Sequence, residues 1–181
     1  ALPIWLEFLE LGFNRLGELS SDLARARRLS SLSLVYQKPP LGDHCLSDLA
    51  RGGPLRALPD AMCRLVQLRH LDIRLNAIEA LPEQIGRLQK LRVLMFNNNQ
   101  IEDVPPNLAR CQRLHRICAN YNRIRRLPDA LCRLSGLKVL SLRGNRIERL
   151  PPEPGELTGV EVLDLSYNRL RALPEWIGRM Q

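Results

Sequence analysis

The stretch LHRICANYNRIRRLP, Leu114 to Pro128, alternates apolar and polar residues over its first half and ends among arginines. Its apolar residues before Asn122 follow the order L-x-x-I-x-A, which is typical of a short strand with one buried face. The polar residues include a histidine, a cysteine and a tyrosine, which are residue types found in metal, catalytic and binding sites. The segments that precede and follow this stretch in the chain decide between these interpretations.

The same pattern recurs along the chain with a fixed period. Asparagine occupies the equivalent position five times from Asn76 to Asn168, at a constant interval of 23 in the sequence, and Asn14 and Gln37 continue the frame upstream. Stacked parallel coils would cover each other's apolar faces, and an inward amide at each bend would satisfy main-chain polar groups. We therefore predict seven parallel strands in one sheet, with Asn99, Asn122 and Asn145 buried. The strand centres are expected near Leu9, Leu32, Leu71, Leu94, Ile117, Leu140 and Leu163.

The full repeat frame resembles a known family. Between the strand frames lie segments such as LPEQIGRL and LPDALCRL, which give the pattern L-x-x-L-P-x-x-I-G-x-L-x-x-L-x-x-L-x-L-x-x-N-x-I. This pattern is similar to the 23-residue leucine-rich repeat of the Ras-group kind, found in intracellular scaffolds such as Erbin and scribble and in plant Ras-group proteins. The resemblance covers essentially the whole chain. It implies an α/β solenoid, a horseshoe with a parallel β-sheet on its concave face and short turns or 3-10 helices on its convex face.

One segment departs from the period. The interval from Gln37 to Asn76 is 39 instead of 23, so residues 38–53 (KPPLGDHCLSDLARGG) are sixteen extra residues after the second coil. The piece LGDHCLSDLA resembles the helix entry of longer, ribonuclease-inhibitor-like repeats, and we expect a short helix within Asp43 to Arg51. We interpret residues 1–181 as a single domain of about seven coils. Because no cysteine-rich caps flank the repeats, we also expect it to be a segment of a longer chain, or else a piece whose ends are covered by a partner.

Composition bounds the class of protein. The chain is 45% hydrophobic, contains no apolar run of membrane-spanning length and carries a formal charge of +8. Its five cysteines are an odd number without a C-x-x-C pair, which favours free thiols in a reducing compartment and hence an intracellular location.

A catalytic or metal site is not indicated. His115 and Cys118 form a single pair, and the neighbouring coils add no further ligands, whereas a zinc site needs about four. No nucleophile, base and orienting acid fall in adjacent coils, and no glycine-rich phosphate loop is present. We therefore expect a non-catalytic protein without metal or cofactor.

The concave face, defined by the five outward positions of each strand frame, is the first candidate binding surface. From the first coil to the seventh these positions carry charges of −2, 0, +1, +1, +1, +2 and −2, which sum to +1. A nucleic-acid cradle would be strongly basic, so a protein partner is favoured here. Tyrosine and arginine often anchor protein interfaces, although aromatic residues at this edge would equally serve to shield the bend. The candidate contact residues are Arg74, Asn97, Asn120, Tyr121, Arg143 and Tyr167.

A basic rim just after the ladder asparagines is the second candidate. It consists of Arg123, Arg125, Arg126, Arg146, Arg149, Arg169 and Arg171, opposed only by Glu148. As an alternative function, this rim would hold RNA, an acidic tail or an anionic membrane, or it would merely be solvated. A further alternative makes the chain the recognition region of a larger enzyme. On the opposite side, local ion pairs are predicted for four acidic residues that each precede an arginine by four residues, Asp60, Glu83, Asp129 and Glu175.

Overall fold

The computed structural model describes residues 5–37 and 55–179. Its seven strands form one parallel sheet in chain order, β1 to β7, and short 3-10 helices alternate with them. The strands are β1 Phe8–Glu10, β2 Ser31–Ser33, β3 His70–Asp72, β4 Val93–Met95, β5 Arg116–Cys118, β6 Val139–Ser141 and β7 Val162–Asp164. The 3-10 helices are Ser21–Arg25, Asp60–Arg64, Glu83–Arg87, Pro106–Arg110, Asp129–Arg133, Leu157–Gly159 and Glu175–Arg179. The predicted solenoid is confirmed, and we number each coil by its strand.

The sheet register follows the repeat. Leu71 pairs with Leu94, and Ile117 pairs with Leu140, as the period of 23 predicts. Leu32 pairs with Leu71 in the same register although their positions in the sequence differ by 39, so the downstream coils keep their frame. The insertion at residues 38–53 and its expected helix lie outside the described residues.

In most coils the turn back from the strand is a proline followed by a 3-10 helix. Pro59, Pro105 and Pro128 precede three of these helices with extended backbone, which suits a residue whose ring fixes φ near −65°. The predicted pairing of Asp60 with Arg64, and of Glu83 with Arg87, is wrong: within the described residues these side chains form no ion pair. A 3-10 helix superimposes residues three apart. Accordingly, Arg87 donates to Gln84 at 2.9 Å.

A buried asparagine ladder connects the coils, as predicted. The Asn122 amide nitrogen donates to the carbonyl oxygens of Phe96 at 2.9 Å and Ala119 at 3.1 Å, and its Oδ1 accepts from the Ile101 N–H at 3.1 Å. Asn99 and Asn145 are also buried and repeat this geometry. The amide side chains thus satisfy main-chain groups of two coils inside an aliphatic core.

No helix in the described part of the chain is both long and apolar enough to cross a membrane.

Candidate binding site on the concave face

The predicted contact residues lie side by side, because main-chain bonding between coils continues beyond the strands. The N–H groups of Leu75, Asn98 and Tyr121 donate to the carbonyl oxygens of Asn97, Asn120 and Arg143 at 2.9, 2.8 and 2.7 Å. This bonding places Arg74, Asn97, Asn120 and Arg143 in one column across the sheet. Tyr121 and Tyr167 belong to the next column.

That next column has an unusual backbone conformation in every coil. Its residues have φ values between +50° and +68°, in the left-handed region that residues other than glycine rarely adopt. This conformation turns the chain just before each ladder asparagine or glutamine. We call it the left-handed column, and its members are Phe13, Tyr36, Leu75, Asn98, Tyr121, Gly144 and Tyr167.

Arg143 is held between two tyrosines of the left-handed column. Its Nε donates to the Tyr121 hydroxyl at 2.9 Å, and its guanidinium carbon lies 4.3 Å from the centroid of the Tyr167 ring. Its Nη1 also lies 3.4 Å from the Ser166 hydroxyl, where it donates a weak hydrogen bond. The hydrogen bond to Tyr121 is the main cause of a raised pKa at Arg143. We call Tyr121, Arg143, Ser166 and Tyr167 the tyrosine–arginine cluster.

Gly144 makes room for this cluster, and the sequence prediction missed its role. A Cβ atom at Gly144 would lie 2.5 Å from Cδ1 of Tyr121, which is too close for a real contact. The signal was present in the sequence, since Gly144 is the single glycine among seven equivalent positions. Its significance depends on the side-chain conformation of Tyr121, which the repeat does not specify.

Arg74, another predicted contact, is already paired. Its Nε and Nη2 donate to the Asp72 carboxylate at 2.9 and 2.7 Å, and these hydrogen bonds raise the pKa of Arg74. In the seventh coil Asp164 accepts instead from the Ser166 hydroxyl at 2.6 Å and its N–H at 3.0 Å, which lowers the pKa of Asp164. The charge of Arg74 is therefore neutralised by Asp72, whereas Arg143 forms no ion pair within the described residues and keeps its charge for a partner.

Asn97 and Asn120 form a second amide row on the exposed side of the sheet. The Asn97 Oδ1 accepts from the Asn120 N–H at 2.8 Å, and the Asn120 Oδ1 accepts from the Arg143 N–H at 2.9 Å and the Ser141 hydroxyl at 2.8 Å. These bonds fix the two predicted contact residues in place. The row leads directly to Arg143.

Ion pairs occupy both ends of the concave face and also the third coil, where Arg74 pairs with Asp72. Oε1 of Glu7 accepts a hydrogen bond from Nη2 of Arg28 at 3.1 Å, and Nζ of Lys138 lies 3.0 Å from Oε1 of Glu161. In contrast, Arg69, Arg92 and Arg116 form no ion pair within the described residues. The sequence analysis summed the charges of the outward positions for each coil, so it did not identify these three arginines individually.

The basic rim is partly neutralised by the preceding coil. The Nη2 atom of Arg125 lies 3.1 Å from Oε2 of Glu102, and the Nε atom of Arg126 lies 3.8 Å from Oδ1 of Asp103. Both acids also line a groove of about 570 Å³, together with Glu79, Glu83 and Asp129. A smaller groove of about 480 Å³ lies beside Arg149 and Arg171. The rim therefore presents its unopposed charge mainly over the last two coils, where Arg146 and Arg169 also lie.

Histidine and cysteine residues do not converge. Among the described residues, no three His, Cys, Asp or Glu side chains are arranged to hold a metal ion. Cys63 and Cys111 are buried, and burial is the main cause that raises their thiol pKa values to about 11 and about 12. Cys118 lies half-buried on β5, in the middle of the concave face.

Comparison with solved structures gives the same architecture. At a TM-score of 0.74 and 21% identity, 97% of the chain matches 27% of the plant peptide hormone receptor RGFR1, solved in complex with RGF2. An internalin (inlF) from Listeria monocytogenes gives a TM-score of 0.66 at 24% identity, over 93% of this chain and 50% of that one. A chain of the BIR3–SERK2 complex from Arabidopsis thaliana gives a TM-score of 0.53 at 27% identity, and the match covers 62% of this chain and 61% of that one. The chain thus spans less than two thirds of each.

Family comparison covers most of the described coils. No curated protein matches the chain significantly. The family model for a leucine-rich repeat region matches residues 57–134, and the model for leucine-rich repeats in two copies continues over residues 135–178. With seven parallel strands alternating with 3-10 turns, the chain belongs to the leucine-rich-repeat proteins.

Proposed function

We propose that the chain is a non-catalytic interaction module that binds a partner protein through its concave face, as an adaptor or subunit of a larger assembly. The observation that carries this proposal is the tyrosine–arginine cluster. Leucine-rich repeats typically bind proteins, and two of the similar structures are complexes, RGFR1 with RGF2 and BIR3 with SERK2.

The cluster has the properties of an interface anchor. Tyr121 and Tyr167 are 49% and 75% exposed although they are large aromatic residues, and both flank an arginine that is partly accessible. Tyrosine and arginine carry much of the binding energy at protein interfaces. Because Arg143 is already held by its neighbours, a partner would lose less side-chain entropy on contacting it.

We also propose that the module is of the Ras-group kind and acts inside the cell. The strict period of 23 in the sequence supports the first part. The free thiols of Cys63, Cys111, Cys118 and Cys132 support the second, because disulfides are rare in reducing compartments.

The test is a pull-down from cell lysate with two matched variants. Tyr121→Ala with Arg143→Ala should reduce the amount of partner captured, because it weakens the binding free energy by several kcal/mol, roughly the cost of truncating hot spots. Charge reversal at Arg125, Arg149 and Arg171 should change mainly the association rate and its salt dependence, as is usual for peripheral charges. The proposal fails if the rim variant loses the partner while the concave variant retains it.

The basic rim is the second candidate, favoured by the groove beside Arg149 and Arg171. If it binds a polyanion, affinity should fall steeply between low and physiological salt, because each neutralised phosphate or carboxylate adds to the slope. The reversed ranking of the two variants would then identify the rim as the functional surface.

A further inference from the structure

We infer that the partner presents an acidic segment to the middle of the concave face, where Arg143 is a fixed anchor and Arg92 and Arg116 form a second contact region. This inference rests on the proposed function, since it names the chemistry of the segment that the same face binds. It commits to an acidic peptide segment of a protein.

Charge distribution gives the first step. The outward positions of the fourth, fifth and sixth coils contain no aspartate or glutamate, whereas they contain Arg92, Arg116, Lys138 and Arg143. Lys138 is paired with Glu161 of the seventh coil. The other three cations have no carboxylate at the outward positions of their own coils, and neighbouring strands are only about 5 Å apart. Self-repulsion among them is relieved when an anion binds.

The geometry of Arg143 gives the second step. Its guanidinium has five N–H donors, of which Nε serves Tyr121 and one on Nη1 contacts Ser166. The remaining donors form part of a planar fork, and this arrangement binds carboxylates through two parallel hydrogen bonds. The hydrogen bonds to Tyr121 and Ser166 and the contact with the Tyr167 ring hold that fork in place, so the orientation of an incoming carboxylate is specified as well.

The ends of the face give the third step. Glu7 and Glu10 lie on the first coil, and Glu161 and Asp164 lie on the seventh. A long polyanion such as RNA would meet repulsion at both ends, because its charge is distributed evenly along the strand. A short acidic segment placed over the middle coils avoids both. Val93 and Val139, which flank Arg116 in the sheet, would contact the aliphatic parts of such a segment.

The test measures binding of a fluorescein-labelled octaglutamate peptide by anisotropy, with octaglutamine as the uncharged comparison. Octaglutamate should bind the wild-type protein, and Arg92→Gln with Arg116→Gln should weaken it about tenfold, as expected from the loss of charge-assisted hydrogen bonds. Arg143→Lys keeps the charge but removes the fork, and it should also weaken binding. Arg149→Gln with Arg171→Gln removes the same charge from the rim and should change affinity less than about twofold.

The protein itself offers an independent readout. Cys118 is half-buried between Met95 and Ser141, whereas Cys63, Cys111 and Cys132 are buried. In a Cys45→Ser background, an environment-sensitive fluorophore on Cys118 should respond to octaglutamate and not to octaglutamine. Circular dichroism of each variant separates loss of binding from loss of folding.

Four results would overturn the inference. Equal binding of octaglutamine would show that acidity is not recognised, and equal loss from the rim variant would place the anion elsewhere. Tighter binding of a uridine octanucleotide, abolished by the concave variants, would identify nucleic acid as the ligand. If lysate capture depends on Tyr121 and Arg143 while octaglutamate fails to bind, the proposed function stands and the acidic segment does not. If octaglutamate binds as described and no partner is captured, the proposed function fails instead.

Discussion

The ring of Tyr121 lies where a side chain at Gly144 would begin. A Cβ atom there would be 2.5 Å from Cδ1 and 2.9 Å from Cε1 of the tyrosine. Each of the other six coils has a side chain at this position. The tyrosine ring of the fifth coil therefore occupies the space that the glycine of the sixth coil leaves empty. The same tyrosine then accepts a hydrogen bond from Arg143, so one missing side chain helps to position the arginine.

Gly144→Ala should therefore displace Tyr121 and release Arg143. The backbone at this position has a φ of +68°, so the substitution should also lower the free energy of unfolding by about 1 kcal/mol, the typical cost of a left-handed alanine. Chemical denaturation and the NMR signals of the Tyr121 ring would measure both effects. Gly136→Ala is the control, because its nearest neighbours would lie 3.6 Å away. Unchanged NMR signals of the Tyr121 ring in Gly144→Ala would contradict the claim that this ring needs the space at Gly144.

Asn122→Ala should lower the free energy of unfolding by more than about 1 kcal/mol, because it leaves buried main-chain groups without partners. The groups affected are the carbonyls of Phe96 and Ala119 and the N–H of Ile101. Asn14→Ala is the matched control, since Asn14 occupies the same frame but is exposed. Urea denaturation would compare the two, and a neutral effect at Asn122 would remove the argument for the ladder.

Leu75→Asn should stabilise the protein. Leu75 has a φ of +59°, a conformation that costs L-residues about 1–2 kcal/mol, whereas asparagine tolerates it through local hydrogen bonds. Asn98 already occupies the equivalent position of the next coil with a φ of +56°. We expect a gain of about 0.5–1 kcal/mol in the free energy of unfolding. A loss would mean that packing of the Leu75 side chain outweighs backbone strain.

Alkaline pH should destabilise the fold through its buried thiols. Their ordinary pKa is 9.0, and it rises to about 11 for Cys63 and about 12 for Cys111 on folding. The folded protein holds these protons more tightly, so their contribution is complete below pH 9 and is lost as pH rises through 11 and 12. Denaturation curves between pH 8 and 11 would show the decline. Cys63→Ala with Cys111→Ala should make it shallower, and an identical slope would exclude the thiols as its cause.

The sequence was sufficient for the sheet and the ladder because both depend on the period. Leu71, Leu94 and Ile117 pair as predicted, since a coil can bury its apolar face only against an in-register neighbour. The helical spacing of Asp60 and Arg64 gave a wrong prediction, because the back of each coil is a 3-10 helix and not an α-helix.

The candidate site was only partly foreseeable. Repeat register places Tyr121, Arg143 and Tyr167 in neighbouring columns. It does not predict that the hydroxyl of Tyr121 accepts from Arg143 or that Tyr167 lies beneath the guanidinium, because both depend on rotamers. The cross-coil pairing of Arg125 with Glu102 was missed for the same reason.

The register between β2 and β3 has a consequence for engineering. Leu32 and Leu71 pair like every other neighbouring couple, although the chain between them is sixteen residues longer than between other strands. Strand pairing here is therefore insensitive to linker length, in keeping with the weak dependence of loop-closure entropy on loop size. We expect the interval between Gln37 and Leu55 to accept a grafted epitope or reporter peptide while the downstream coils keep their frame.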